Sequence, residues 1–208
     1  MRDKAEAQQL IKETAIQLFL KKGFEKTTMR AIAAKSKVPL SSIYYYYPNK
    51  EAIFDDIFSG SLSDTFTFTE LLQNPELKNN ILGNEYINAV YQKLLQLITN
   101  NREITIITLS NKIKGTPYEG RKEALAQTLY TAAEKTYLVS TNKTAIPYTI
   151  KMIFKSQVDV TMEAINTIAN NMKNYEWVKL MTYKITYFMA NTINQCIKNE
   201  LKEFDTDA

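Results

Sequence analysis

Apolar residues recur at spacings of three and four over the first part of the chain, with polar residues between them. This periodicity predicts an amphipathic helix over residues 3–22, and Gly23 stands where such a helix commonly ends. Thr27 or Thr28 can cap a short second helix, because a threonine oxygen can accept a backbone N–H two or three residues further on. Pro39 can open a third helix, since proline is tolerated in the first helical turn.

Further helical patterns cover most of the remaining chain. A fourth helix capped by Asn49 is predicted to run into the 60s, whereas residues 59–82 are rich in Ser, Thr, Asp and Asn and stay ambiguous. Five later stretches show helical periodicity, namely 84–100, 102–113, 118–138, 147–172 and 175–203. Gly and Pro number only five each among 208 residues, which disfavours turn-rich sheet folds. The sequence therefore predicts an all-α protein of about nine helices.

Composition excludes several classes of protein. The chain has no histidine, so the usual catalytic base and the commonest zinc ligand are both missing. We therefore expect no metal, no cofactor and no enzymatic activity, although carboxylate or lysine chemistry stays open. Cys196 is the single cysteine, so no intramolecular disulfide can form, and this agrees with a reducing cytoplasm. We expect no signal peptide and no membrane span, since no apolar run reaches 18 residues.

The positive charge is concentrated near the N-terminus. Residues 1–55 hold ten basic and six acidic residues, whereas the remainder holds 16 of each, so the first quarter accounts for the net charge of +4. Such a distribution is expected where a protein meets a polyanion, although an ordinary solvated basic surface explains the charge equally well.

The first three predicted helices have the order of a helix-turn-helix motif supported by a preceding helix. The second short helix of such a motif enters a major groove about 12 Å wide, so its exposed face needs small or hydrogen-bonding side chains. Six residues supply such a face, namely Pro39, Leu40, Ser41, Ser42, Tyr45 and Tyr46.

The stretch AIQLFLKKGFEKTTMRAIAAKSKVPLSSIYYYYPNKEAIF resembles the DNA-binding domain of the TetR family of bacterial transcriptional regulators, over roughly residues 8–55. The matching positions are Ala15, Leu18, Phe19, Gly23, Thr27, Thr28, Ile32, Ala33, Val38, Ile43, Tyr44, Tyr47, Lys50 and Glu51. The chain departs from the family pattern in two places. Lys37 replaces the usual turn glycine, and Tyr46-Tyr47 replaces His-Phe.

The resemblance implies a DNA-binding role for individual residues. Thr27 and Thr28 would cap the second helix and touch a phosphate, and Arg30 would lie near the DNA backbone or a base edge. The residues expected to face the groove are Leu40, Ser41, Ser42 and Tyr45, with Pro39 opening the helix. Those expected to clamp phosphates are Tyr44, Tyr46 and Lys50. The implied domains are a helix-turn-helix DNA-binding domain, 1–50, and an effector-binding and dimerisation domain, 51–208.

The two last predicted helices are long and apolar on more than one face, and the resemblance implies that they pair with a second copy as a four-helix bundle. The expected dimer residues are Phe154, Val158, Met162, Ile165, Met181, Ile185, Phe188 and Met189. An effector pocket is expected among the middle helices, with candidate residues Tyr86, Tyr91, Thr105, Thr108, Asn111, Tyr130, Phe154 and Gln157.

The leading hypothesis is a ligand-responsive transcriptional regulator, expected to be a repressor, that binds a palindromic operator as a dimer and is released by a small-molecule effector. One alternative is a helix-turn-helix regulator controlled by a protein partner, which predicts no sizeable pocket among residues 84–157. Another is an all-α enzyme or interaction bundle, which predicts no DNA binding and leaves the ordered pattern over residues 15–51 unexplained.

Overall fold

The computed structural model describes residues 3–59, 83–172 and 174–206. These residues form nine helices and no strand, as the periodicity predicts. The helices are α1 (Lys4–Lys22), α2 (Met29–Ser36), α3 (Leu40–Tyr46), α4 (50–59), α5 (Asn84–Asn100), α6 (Arg102–Leu109), α7 (Arg121–Thr141), α8 (Tyr148–Asn170) and α9 (Tyr175–Thr206). The predicted continuation of the fourth helix into the 60s and the ambiguous stretch 60–82 lie outside the described residues.

The described residues divide into two compact units. One unit contains the residues up to 59 together with 101–122, and the other contains the rest. The functional division at residue 50 stays a prediction. The structure adds that the later segment, 101–122, packs with the N-terminal helices rather than with its neighbours in sequence.

Aromatic side chains fill the core of the first unit. The ring centroid of Phe54 lies 5.3 Å from that of Phe19, 5.0 Å from that of Phe24 and 4.1 Å from that of Phe58. Tyr118 stacks on Phe58 with a centroid distance of 5.0 Å, which brings the 101–122 segment onto α4. Burying each such ring contributes about 1.5–3 kcal/mol, so this cluster is a major source of stability for the unit.

One backbone bond and one side-chain bond join the same segment to the end of α1. The backbone N–H of Phe24 donates to the carbonyl of Lys112 at 2.9 Å, and the Lys112 ammonium donates to the carbonyl of Leu20. Gly23 ends α1 with φ of 80°, a conformation that favours glycine. The predicted C-terminus of the first helix is therefore confirmed, and its unpaired carbonyls are satisfied partly by a residue far away in sequence.

The second unit is a helical bundle in which α9 packs against α5 and α8. Tyr137 and Phe154 are fully buried at one end of it, with their rings in an edge-to-face arrangement. The Tyr137 hydroxyl and the Lys143 ammonium both donate to Glu200, and these two bonds hold the pKa of that carboxyl below its usual range. Cys196 is buried in the same cluster.

Within the described ranges, no helix combines the length and apolar character needed to cross a membrane. The same residues contain no group of three or more acidic or cysteine side chains placed to hold a metal ion.

Candidate functional site

The turn between α2 and α3 is built around Lys37. Its φ of 55° and ψ of 28° place it in the left-handed region, where a side chain other than glycine is strained. Ser36 lies beside it and is buried, and its hydroxyl oxygen accepts the backbone N–H of Val38 at 3.3 Å. The turn geometry expected at Lys37 is therefore present, with lysine in the strained position.

Two residues anchor α3 to the core beneath it. Ile43 is fully buried, and Tyr47 directly follows the helix with its ring buried. The Tyr47 hydroxyl donates to Asp56 Oδ2 at 2.7 Å, and Lys12 forms an ion pair with the same oxygen at 3.4 Å. Burial, followed by the neighbouring carboxylate, raises the pKa of Tyr47, so the hydroxyl stays protonated as a donor. These anchors fix which side of α3 faces solvent.

The opposite side of α3 carries the residues expected to read DNA. Ser41 is exposed, Tyr44 is 51% exposed and Tyr45 is 79% exposed. Ser42 is partly exposed and Pro39 before the helix is exposed, whereas Leu40 and Tyr46 are partly buried and pack against the core beneath α3. Hydroxyl groups on short and aromatic side chains can bond base edges and phosphates, so the chemistry of this surface suits a major groove.

Thr27 and Thr28 have different roles in the structure. The Thr28 side chain accepts the backbone N–H of Ala31 at 3.1 Å, so Thr28 is the N-cap of α2, and it is exposed. Thr27 is buried, and its hydroxyl donates to the carbonyl of Gly23 at 2.8 Å. The prediction that both threonines cap α2 is therefore wrong for Thr27, which instead closes the loop before the helix. A phosphate contact is geometrically accessible to Thr28 only.

Lys50 is tied to the loop that precedes α2. Its ammonium donates to the carbonyl of Phe24 at 2.8 Å and lies 3.9 Å from the centroid of the Phe24 ring. Burial lowers the pKa of Lys50. An ammonium has three donors, so a phosphate contact by Lys50 stays a prediction alongside this structural bond.

Basic side chains lie on α2 and the turn beside these residues. Arg30, Lys35 and Lys37 are all exposed there. Together with the hydroxyl-bearing face of α3, they form a surface with both charge and hydrogen-bonding groups for DNA. Residues 11–57, which contain this whole surface, match the family model for bacterial regulatory proteins of the tetR family.

The N-terminal domain belongs to the TetR family. Curated proteins with sequences similar to the chain carry related names. The chain is 26% identical over 155 residues to the uncharacterized HTH-type transcriptional regulator YuxN of Bacillus subtilis. This match covers 72% of the chain and 50% of that protein. The chain is 30% identical over 107 residues to IcaR of Staphylococcus aureus, the HTH-type negative transcriptional regulator of the biofilm operon icaADBC, covering 51% of this chain and 53% of that one.

The chain spans about half the length of the curated relatives it matches. Those relatives are transcriptional regulators, which are not enzymes. Among solved structures, a TetR-family regulator from Streptomyces coelicolor matches with a TM-score of 0.40 and 14% identity, covering 97% of this chain and 90% of that one. A putative TetR-family regulator from Mesorhizobium loti matches with a TM-score of 0.46 and 16% identity, covering 91% and 97%.

Outside the TetR-family domain, the second unit contains a cavity of about 70 Å³ between α5, α7, α8 and α9, here called the Tyr86 cavity. The described residues that line it are Tyr86, Ile87, Val90, Leu94, Leu129, Ala132, Ala133, Thr136, Thr161, Ile165, Thr186, Met189, Ala190 and Ile193.

Only Tyr86 among the eight predicted ligand residues lines this cavity. Thr105, Thr108 and Asn111 lie in the other unit. The remaining four are also elsewhere: Tyr91 packs its ring against Tyr183, Tyr130 and Phe154 belong to the cluster around Tyr137, and Gln157 lies in a groove between α8 and α9. Ligand contact by these seven residues stays a prediction, and the cavity gives it no support.

The predicted dimer residues also differ in their surroundings. Five of them are buried within this single chain, namely Phe154, Val158, Met162, Ile165 and Ile185. Met189 is partly buried and lines the Tyr86 cavity, whereas Phe188 is 50% exposed and Met181 borders a surface groove.

An exposed apolar surface does run along α8 and α9, here called the α8–α9 face. Its main members are Met152, Ile153, Val160, Ala164, Trp177, Met181 and Phe188. The sequence reasoning missed Met152, Ile153 and Val160, which are 48%, 41% and 52% exposed. A second apolar stripe with heptad spacing, from Ile153 to Val160, was the signal that could have found it.

Proposed function

We propose that the protein is a transcriptional repressor of the TetR type that acts in the cytoplasm, binds a palindromic operator as a homodimer and is released by a small-molecule effector. The observation that carries this proposal is the exposed hydroxyl face of α3, fixed by Ile43 and Tyr47 inside a domain that matches the TetR family. Repression is proposed because IcaR, a relative, is named a negative transcriptional regulator.

The α8–α9 face supports the dimer. Its exposed apolar residues are contiguous, since Val160 and Phe188 border both grooves along it. Glu163 and Lys184 border the same surface, so a two-fold axis can set opposite charges against each other. The Gln157 amide nitrogen is buried beside this face with no partner among the described residues, and a mate can supply its acceptor. Two copies would present two α3 helices, which reading two half-sites requires.

The Tyr86 cavity supports an effector site, but its size also favours one alternative. A volume of about 70 Å³ is well below the roughly 300–1,000 Å³ of typical ligand pockets. This observation favours either a very small effector or a regulator controlled by a protein partner, the second candidate function.

Selection of bound sequences from a random duplex pool tests DNA binding. We expect a palindrome of two half-sites, together with a steep loss of affinity as salt rises, because phosphate contacts release counterions. Tyr45→Ala should weaken binding to the selected site. Tyr148→Ala is the matched control, because Tyr148 is 76% exposed but lies on α8. Failure of a folded dimer to enrich any sequence, before and after refolding from denaturant, would refute the proposal.

A further inference from the structure

The Tyr86 cavity is lined by no charged side chain among the described residues. Its wall consists of aliphatic side chains, three alanines, three threonines, one methionine and one tyrosine. An ion that entered would lose its hydration shell and gain no counter-ion, so binding of a charged molecule is strongly disfavoured. The described part of the wall therefore favours an uncharged occupant.

The three threonines can only accept hydrogen bonds from an occupant. Each hydroxyl already donates to the carbonyl four residues earlier on its own helix, at 2.7 Å for Thr136, 2.8 Å for Thr161 and 2.8 Å for Thr186. A hydroxyl has one proton and two lone pairs, so this backbone bond uses its only donor. The oxygens that remain are acceptors without a proton to offer.

Tyr86 supplies the complementary donor. It is 9% exposed and lines the cavity. Burial raises the pKa of Tyr86 to about 12, so the phenol is protonated at neutral pH. A protonated phenol is a hydrogen-bond donor, so an oxygen on a bound molecule can accept from it.

Cavity size limits the occupant. An apolar cavity of about 150 Å³ holds one benzene molecule, so a cavity of about 70 Å³ holds roughly three or four non-hydrogen atoms. A hydroxyl group on such a molecule can accept from Tyr86 and also donate to a threonine oxygen, whereas a carbonyl can do only the first.

We propose that the Tyr86 cavity binds a short, uncharged alcohol, whose hydroxyl accepts from Tyr86 and donates to one of the three threonines. This inference rests on the proposed effector function of the same cavity and names the chemical class of the effector. So small a molecule binds weakly, with a dissociation constant expected in the millimolar range.

Three molecules of equal size test the proposal: 2-propanol, acetone and isopropylammonium. Binding to the full chain is followed by the NMR signals of the Ala132, Ala133 and Ile87 methyl groups. We expect saturable shifts with 2-propanol, weaker binding of acetone and no saturable shift with isopropylammonium. Tyr86→Phe should weaken 2-propanol binding about tenfold, as expected for the loss of one hydrogen bond. Tyr148→Phe is the matched control, because Tyr148 is 76% exposed and does not line the cavity, and it should leave binding unchanged.

Three outcomes would overturn the inference. The first is that isopropylammonium binds as tightly as 2-propanol, and the second is that neither 2-propanol nor acetone gives a saturable shift. The third is that the Tyr86→Phe variant binds 2-propanol as tightly as the wild type. Ala132→Leu, which fills the cavity, must abolish the shifts. Shifts that persist in this variant are a fourth outcome that would overturn the inference. Operator binding is measured separately. If 2-propanol occupies the cavity while operator affinity stays unchanged, the alcohol site stands and the effector function fails.

Discussion

Lys37 stands where the family pattern has glycine, and this replacement places backbone strain in the turn between α2 and α3. The residue adopts left-handed backbone angles that cost a side chain other than glycine roughly 1–2 kcal/mol. The helices on both sides of the turn are fixed by buried residues, Ile32 before it and Ile43 after it, so the turn cannot relax without moving the core. The surrounding motif located the turn at Lys37, but the sequence left open whether lysine adopts the strained geometry or the turn differs.

Replacing Lys37 by glycine should therefore stabilise the protein. We expect Lys37→Gly to raise the free energy of unfolding by about 0.5 kcal/mol, because relief of strain exceeds the extra entropy of glycine in the unfolded chain. Urea denaturation measures the change. Lys198→Gly makes the same substitution in the interior of α9 and should instead lower stability by up to about 1 kcal/mol. Equal destabilisation by both variants would contradict the strained turn.

Tyr47 predicts a specific dependence on pH. Its pKa is raised above the unfolded value of about 10, so the unfolded chain releases this proton first as pH rises. The stability that the protonated tyrosine contributes is present below pH 10 and is lost above it.

We expect Tyr47→Phe to lower the free energy of unfolding by about 1 kcal/mol at pH 7, since the bond to Asp56 is removed. The difference from the wild type should shrink above pH 10, because phenylalanine cannot ionise. Denaturation curves at a series of pH values measure both effects. Tyr45→Phe is the control, and a difference that stays constant up to pH 11 would rule out the linkage.

At the scale of the element, α2 depends on its N-terminal cap more than a longer helix would. It has only eight residues, and the Thr28 oxygen satisfies one of its four unpaired backbone donors. We expect Thr28→Ala to lower the free energy of unfolding by about 1 kcal/mol, while Thr28→Ser keeps the cap and most of the stability. Denaturation by urea tests the pair, and equal losses would show that the hydroxyl does not cap the helix.

Elements were predictable where local pattern decides the structure. The first three helices, a cap at Thr27 or Thr28 and the position of the turn follow from spacing and residue type, which act over a few positions. The placement of Thr105 and Asn111 could not be predicted, because it depends on Tyr118 stacking on Phe58 and on the Lys112–Phe24 backbone bond, which join distant parts of the chain.

Dependence on contacts between distant parts of the chain also explains why the dimer residues could not be predicted from the sequence. Both α8 and α9 carry apolar side chains around more than one face, so periodicity alone does not tell which face turns inward. Burial in the structure assigns Phe154 and Ile165 to the interior and leaves Val160 and Phe188 on the surface. Only the packing of α5 and α7 against these helices makes that distinction.

At the scale of the whole molecule, the α8–α9 face predicts the effect of charge on assembly. Phe188 is half-exposed, so Phe188→Lys should leave the fold of one chain intact while placing a charge in the proposed dimer interface. We expect sedimentation velocity to show that the variant is a monomer, and circular dichroism to show unchanged helix content. Operator affinity should fall because the dimer is lost. Val139→Lys, at a 72% exposed site on α7, should stay dimeric. A folded Phe188→Lys dimer would exclude this interface.

The union of residues 101–122 with the N-terminal helices also constrains how such a protein can be rearranged by recombination. A chimera that joined residues 3–59 to a foreign effector domain would leave behind Tyr118, Ile107 and Ile113, which complete the core around Phe54 and Phe58. In the chimera, residues 3–59 would expose apolar side chains that are normally buried. They would also lose the hydrogen bond from the Phe24 backbone N–H to the Lys112 carbonyl. Exchange of DNA specificity between relatives is therefore expected to proceed by substitution on the surface of α3, or to carry both segments together.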